Sequence, residues 1–240
     1  MWQGLKDMVL RQRTHFDAVC SEKVEAYREE GGHIYCRKGC GNCCTLAVNT
    51  VFTEALLLAE ALSPGQVEAV ALRSCRTREL VARSPDLKTF LRLHRRDLGV
   101  CPFLDGAGSC GVYGHRPLSC RSLLATRPGD WCGVDFGDLP EIERQVFMSG
   151  LDRRAVAFPT HYLASTQELA RQLEEESAAL MGQRFGVAVT GNLPYLVALE
   201  REHRLSEVVL EGYEATVEFL EDRGLNLPYL IHLAGVHPDR

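Results

Sequence analysis

Cys36-Arg37-Lys38-Gly39-Cys40-Gly41-Asn42-Cys43-Cys44 packs four thiols into a single short block. Four more follow in Cys101-Pro102-Phe103-Leu104, Cys110-Gly111-Val112-Tyr113, Arg116-Pro117-Leu118-Ser119-Cys120-Arg121 and Asp130-Trp131-Cys132-Gly133. Gly39 and Gly41 let the backbone turn tightly around the first block, and thiolates at this density are the donors that a soft metal ion or an iron-sulfur cluster takes. The stretch from about residue 100 to 137 is rich in Gly and Pro and poor in regular pattern, so bound metal is expected to supply folding energy there. These readings predict a mainly α fold, with helices around an irregular cysteine-rich metal-binding core and a helical C-terminal extension.

A disulfide framework is the competing explanation for ten cysteines. With 240 residues, 45% of them hydrophobic, the chain buries a sizeable core without staples. Met1-Trp2-Gln3-Gly4-Leu5-Lys6-Asp7 runs into Arg11-Gln12-Arg13 with no apolar signal segment, and the apolar run Ala55-Leu56-Leu57-Leu58-Ala59 is bracketed by Glu54 and Glu60. A cytoplasmic protein with reduced or metallated thiols is therefore expected. Basic residues number 27 against 32 acidic, a net charge of −5, which offers no general field for nucleic acid or an anionic membrane. Arg92-Leu93-His94-Arg95-Arg96 reads as a solvated helix face rather than an anion-binding patch. The partners expected are a metal ion or cluster and a protein docking on the C-terminal helices, with no nucleic acid and no membrane.

Helical periodicity frames the cysteines. Residues 5–30 place Phe16, Cys20, Val24 and Tyr27 on one face, with Gly31-Gly32 as the stop. A helix over 53–62 has Thr53 as its expected N-cap, and Ser63-Pro64-Gly65 separates it from a third starting near Gln66, whose stripe Val67, Ala71 and Cys75 is read as buried. Ser84-Pro85-Asp86 opens a helix to about Leu98. Further helices are expected over 140–151, 165–182, 194–203 and 206–222, the last burying Val209, Leu210, Tyr213, Val217 and Leu220. No strand pattern is evident. The economical division is a cysteine-cluster metal-binding region with its N-terminal helix over 1–137, and a helical extension over 138–240 packed on the same domain.

The order of motifs, Cys40-Gly41-Asn42-Cys43-Cys44, then Cys101-Pro102-Phe103-Leu104, Cys110-Gly111-Val112-Tyr113 and Arg116-Pro117-Leu118-Ser119-Cys120-Arg121, resembles the YkgJ family of cysteine-cluster proteins, described as zinc- or iron-chelating. The resemblance spans residues 36 to about 121 and makes Cys36, Cys40, Cys43, Cys44, Cys101, Cys110 and Cys120 candidate ligands. Three residues separate Cys36 from Cys40 where the family's CxxCxxCC pattern has two, so Cys36 is the ligand that departs from the pattern. A related cysteine motif occurs in flagellin lysine-N-methylases. Cys36-x3-Cys40-x2-Cys43 also has the spacing of the radical S-adenosylmethionine signature, but Asn42 stands where that signature usually carries an aromatic residue, and the required barrel has no counterpart here.

One tetrahedral zinc or one cubane cluster uses four thiolates, so seven exceed one site, and Cys132 brings the count to eight, enough for two. Either two sites form, or one forms and the remaining cysteines serve around it. The side chains of adjacent Cys43 and Cys44 point in different directions, which suits one on each side of a two-site centre. Only Cys40 to Cys43 forms a zinc-type CxxC knuckle, and a loop-held block closed by distant thiolates favours a [4Fe–4S] cluster over zinc. Arg116 and Arg121 are candidates to bond cluster sulfurs or an anion, or else to pair with acidic helices, while His115 and His33 read as exposed loop residues. Phosphate-loop, nucleophile-elbow and paired-His catalytic motifs are absent. The function expected is a metal-binding protein with a structural or redox- or metal-sensing role; the alternatives are a cluster-dependent enzyme related to protein lysine-N-methylases and a metal carrier.

Overall fold

The computed structural model describes residues 1–235. It is mainly helical, as the periodicity predicts. Helix α1, Gln3–Glu29, buries Leu5, Val9 and Phe16 together with the polar Gln12 and Arg13. Strand β1, Asn49–Val51, feeds directly into α2, Phe52–Glu60. Ser63 caps α3, Pro64–Ala82, in a reciprocal box with Gln66, so that helix begins two residues before the expected start. Asp86 accepts from the Thr89 amide (2.7 Å) to open α4, Leu87–Asp97. Only two short helical turns, α5 at Leu118–Arg121 and α6 at Asp130–Gly133, interrupt the long irregular segment before α7, Glu141–Ser149. After α8, Ala164–Phe185, come β2, Val187–Asn192, and α9, Leu193–His203, then α10, Leu205–Val209, α11, Tyr213–Asp222, and β3, Ile231–Gly235.

The sheet corrects the sequence reading. Among the described residues three strands form one antiparallel sheet in the order β1-β2-β3, with Asn49 opposite Asn192 and Gly191 opposite Ile231. The central strand is buried almost throughout, so Val187-Ala188-Val189 lacks the alternation that marks a half-exposed strand. Its pairing joins residues near the first cysteine block to the C-terminal half. Helix α9 lies against α2 and α3 and buries Leu193, Tyr195, Leu196, Val197, Ala198 and Leu199, and the Tyr195 hydroxyl donates to the Leu225 carbonyl (2.7 Å).

Other local expectations shift as well. The N-cap of α2 is Val51, and Thr53 lies inside the helix with its hydroxyl buried. The helix expected over 206–222 breaks at Gly212, whose φ of +96° no other residue adopts cheaply, and Leu210 is thereby turned outward. On α1 the buried face ends at Phe16, leaving Cys20 half-buried, and on α3 the inner face is Val70, Ser74, Thr77 and Leu80, which places Cys75 on the exposed side. The basic run of α4 is not a free solvated face: Arg92 pairs with Asp135 and Asp138, Arg95 donates to the Val134 carbonyl, and His94 is buried. These bonds tie α4 to the loop that follows α6.

A buried polar cluster fixes the approach to Cys120. Glu54 of α2, with no exposed surface, accepts from Arg13 Nε (2.9 Å), Thr50 Oγ1 (2.9 Å) and the Leu118 amide (3.1 Å to each oxygen). Glu174 of α8 accepts from the next amide, Ser119 (3.3 Å). Two carboxylates thus hold the first N–H groups of α5, where the positive end of the helix favours them. Burial first, and then the neighbouring Glu54 charge, raise the Glu174 carboxyl from its ordinary 4.5 to about 8. A carboxyl raised in the folded state contributes stability that is complete below its unfolded value and lost as pH rises through the folded one. Glu174→Gln, which mimics the protonated form, is accordingly expected to lose less thermal stability than the parent between pH 5 and about 9. Parallel melting curves across that range check it, and an identical decline in both proteins would refute the assignment.

Candidate metal centre

The first cysteine block folds as turns rather than a helix. The Cys40 amide bonds to the Arg37 carbonyl (3.1 Å) and the Cys44 amide to that of Gly41 (2.9 Å), wrapping a 3₁₀ turn over Asn42–Thr45. The Cys101 amide then bonds to the Cys44 carbonyl (2.8 Å), so the second cysteine region docks on the first through its backbone. Gly41 is required by that docking, since a Cβ there would stand 2.8 Å from the Gly108 carbonyl oxygen. Gly41→Ala is expected to cost about 1–3 kcal/mol by forcing the two loops apart; denaturant titration measures this, and a loss under about 0.5 kcal/mol would refute it.

Helix α6 packs on the 3₁₀ turn and brings Cys132 in from beyond the second region. On the other side, the Leu104–Cys110 bridge and α5 bring in Cys110 and Cys120. Cys36 is held by the segment after α5: its sulfur accepts from the Ala125 amide (3.1 Å) and donates to the Leu123 carbonyl (3.4 Å). An N–H···S bond of this kind steadies a thiolate and offsets part of its charge.

Two adjoining cavities result. One is lined by Cys40, Cys43, Cys44, Cys101, Cys110 and Cys120. Counting its mouth it contains ≈ 870 Å³ free of protein atoms, of which the centre of a water molecule can visit ≈ 70 Å³. The other is lined by Cys36, Cys40, Cys43, Cys120 and Cys132. Cys40, Cys43 and Cys120 face both. All eight candidate cysteines therefore border one compact double cavity, while Cys20 and Cys75 lie elsewhere on α1 and α3. The thiols surround space rather than a point: no three Cys, His, Asp or Glu side chains among the described residues are gathered closely enough to hold a single ion as they stand.

The electrostatics make Cys43 the hub. A side-chain hydrogen bond with Cys44 and then burial push its thiol far above the ordinary range, and a thiolate there would disfavour ionisation of Cys36, Cys101, Cys110, Cys120 and Cys132. For those five, burial is the larger cause, bringing Cys101 and Cys132 to about 11. So many buried thiols cannot ionise together unless cations replace their protons, which is the chemistry of a thiolate metal centre.

Several neighbours escape notice in the sequence. His161, from the loop before α8, places Nε2 3.2 Å from Cys132 Sγ, and burial brings its pKa down to about 4, leaving a neutral ring able to act as a donor or a ligand. Its neighbour Tyr162 packs against Cys132. His94 of α4 and Arg73 of α3 line the larger cavity. None of these is near a cysteine in sequence, so spacing gives no signal for them. His115 and His33 are exposed, as expected. Arg121 pairs with Asp17 of α1 (2.7 Å) and bonds the Arg116 carbonyl (2.8 Å), which gives it a structural role. Arg116 makes no ion pair among the described residues; it lies over the Tyr113 ring (3.7 Å) and faces both cavities.

Comparison with known proteins agrees with the thiol geometry. Residues 35–135 match the CxxCxxCC family model, described as "Putative zinc- or iron-chelating domain". The matched segment runs past Cys120 to include Cys132. No curated protein and no solved structure matches the chain.

Proposed function

Because residues 35–135 match a family of zinc- or iron-chelating domains, we propose that this protein holds an iron-sulfur cluster through its clustered thiolates and serves a structural or redox-sensing role. The observation that carries the reading is the ring of six cysteines around one cavity. Thiols that surround space, instead of converging on a point, suit a group that brings its own sulfide to fill the middle, whereas a lone zinc ion draws four donors to within bonding distance of one centre. Cys43, Cys101, Cys110 and Cys120 are the proposed cluster ligands. Cys36, Cys40 and Cys132, with His161 beside them, form a second donor group that shares Cys43 with the first and suits a second metal. The remaining thiol, Cys44, faces only the larger cavity, beside Cys43.

What the chain's own residues do follows from their placement. They hold Cys36 by main-chain bonds and the start of α5 by buried carboxyl groups, which turns the thiols toward the two cavities. No helix of the described residues is long and apolar enough to cross a membrane. The test is metal and sulfide analysis with a visible absorption spectrum on protein purified without oxygen or chelator. Iron with inorganic sulfide and a broad visible band is the expected result. Stoichiometric zinc in a colourless protein would overturn the cluster and leave a zinc-thiolate centre in its place.

A further inference from the structure

The larger cavity has a wall that the thiols do not explain. Arg73 of α3 lines it with only 8% of its surface exposed, makes no ion pair among the described residues, and has its Nη1 buried without a hydrogen-bond partner. A guanidinium buried in this way is costly unless an anion offsets it; Cys101 on the same wall would supply part of that charge only as a thiolate, and it leaves Nη1 without a hydrogen bond. Asn192 lines the same cavity at 1% exposure. Its Oδ1 accepts from the Tyr195 amide (3.4 Å) as the N-cap of α9, and this leaves the Nδ2 donor buried and also without a partner. The first turn of α9 adds Leu193 and Pro194 to the wall; its amides are already taken, that of Leu193 by the Val48 carbonyl and that of Tyr195 by Asn192, so the donors there are side chains. Val48, Leu58, Phe103 and Val112 give the same cavity an apolar wall, alongside His94 and Arg116.

We infer that Arg73 and Asn192 form a carboxylate-binding site beside the thiols, which takes a short aliphatic carboxylate with its hydrocarbon end against Val48, Leu58, Phe103 and Val112. The flat guanidinium offers paired donors that match a carboxylate, and the Asn192 amide supplies another. The apolar wall disfavours a fully charged tetrahedral anion such as phosphate, which would leave oxygens without donors. The small space open to a water-sized body restricts the ligand to a few carbons. The donors all belong to the protein, so the site does not depend on which metal the thiols hold.

Calorimetric titration of the protein as purified, with its metal content measured alongside, tests this with butyrate, inorganic phosphate and butylamine as probes. Saturable binding of butyrate, with phosphate weaker and butylamine absent, is the expected result. Arg73→Gln is expected to weaken butyrate binding by about tenfold or more, the usual scale for a lost charge-assisted hydrogen bond. Asn192→Asp retains an N-cap acceptor for α9 while placing a repelling carboxylate in the site, so it should abolish binding with the fold intact by circular dichroism. Butyrate that fails to bind, phosphate that binds more tightly, or an Arg73→Gln variant that loses metal but retains butyrate would each overturn the inference. The last outcome would make Arg73 a counter-charge to the thiolates. A protein without metal that still binds butyrate would refute the metal reading and leave this site standing.

Discussion

Cys43→Ala is expected to empty both halves of the thiol centre, whereas Cys132→Ala should cost only the half that it borders. The difference follows from position: Cys43 faces both cavities and interacts with thiols on each side, and Cys132 faces one. If each half holds a separate site, metal content should fall close to zero in the first variant, while the second should lose only the lone metal of its half and keep the cluster's iron and sulfide. Cys75→Ala, on the exposed side of α3, should leave content unchanged and serves as the control. The melting temperature should fall in the same order, since binding energy at a structural metal site is folding energy. Equal loss from Cys43→Ala and Cys132→Ala would refute the two-sided arrangement, and full retention by Cys43→Ala would remove Cys43 from the centre.

Glu54→Leu is expected to be nearly as damaging without touching a thiol. The carboxylate receives Arg13, Thr50 and the Leu118 amide in a fully buried site, so its removal leaves a cation and two donors stranded. Breaking one partner out of such a pair costs about 3–5 kcal/mol, which in a chain of this size lowers the melting temperature by roughly 10 °C. Arg13→Met in the same background should recover part of the loss by removing the stranded charge, a non-additivity that a double-mutant cycle reads directly. Because Glu54 and Glu174 hold the start of the short helix that carries Cys120, the single variant should also release metal more readily to a chelator. A melting temperature within about 2 °C of the parent would show that the network contributes little. A destabilised variant that retains metal as firmly as the parent would separate Glu54 from the Cys120 helix.

The helices were legible wherever one face is apolar and a stop signal is local. Ser63-Pro64, Asp86 and Gly31-Gly32 mark ends that depend only on neighbouring residues, because capping and turn formation act over three or four positions. Faces were less legible than ends. The stripe through Cys75 lost to one set by Val70, Ser74 and Thr77, since which side of α3 turns inward is decided by α9, more than a hundred residues later. The strands were missed because Val187-Ala188-Val189 is buried throughout, by α8 just before it and by its sheet partners β1 and β3, and this erases the alternation that would have marked it.

By itself the sequence determined that thiols dominate this protein and which seven of its cysteines belong to the motif blocks, with Cys132 as an eighth candidate, because side-chain chemistry and short spacings are covalent properties of the chain. Tertiary structure decided how those thiols divide, with Cys43 between two cavities; it brought His94, Arg73 and Asn192 to the cavity wall and His161 against Cys132, from four separate elements or loops. It also decided what holds Cys120 in place, by burying Glu54 and Glu174 against amides that no local pattern pairs with them. The physical reason is common to all three. Burial, charge and the satisfaction of a lone donor are set by what lies nearby in space, and across loops of this length nearness in space is fixed only by how the whole core packs.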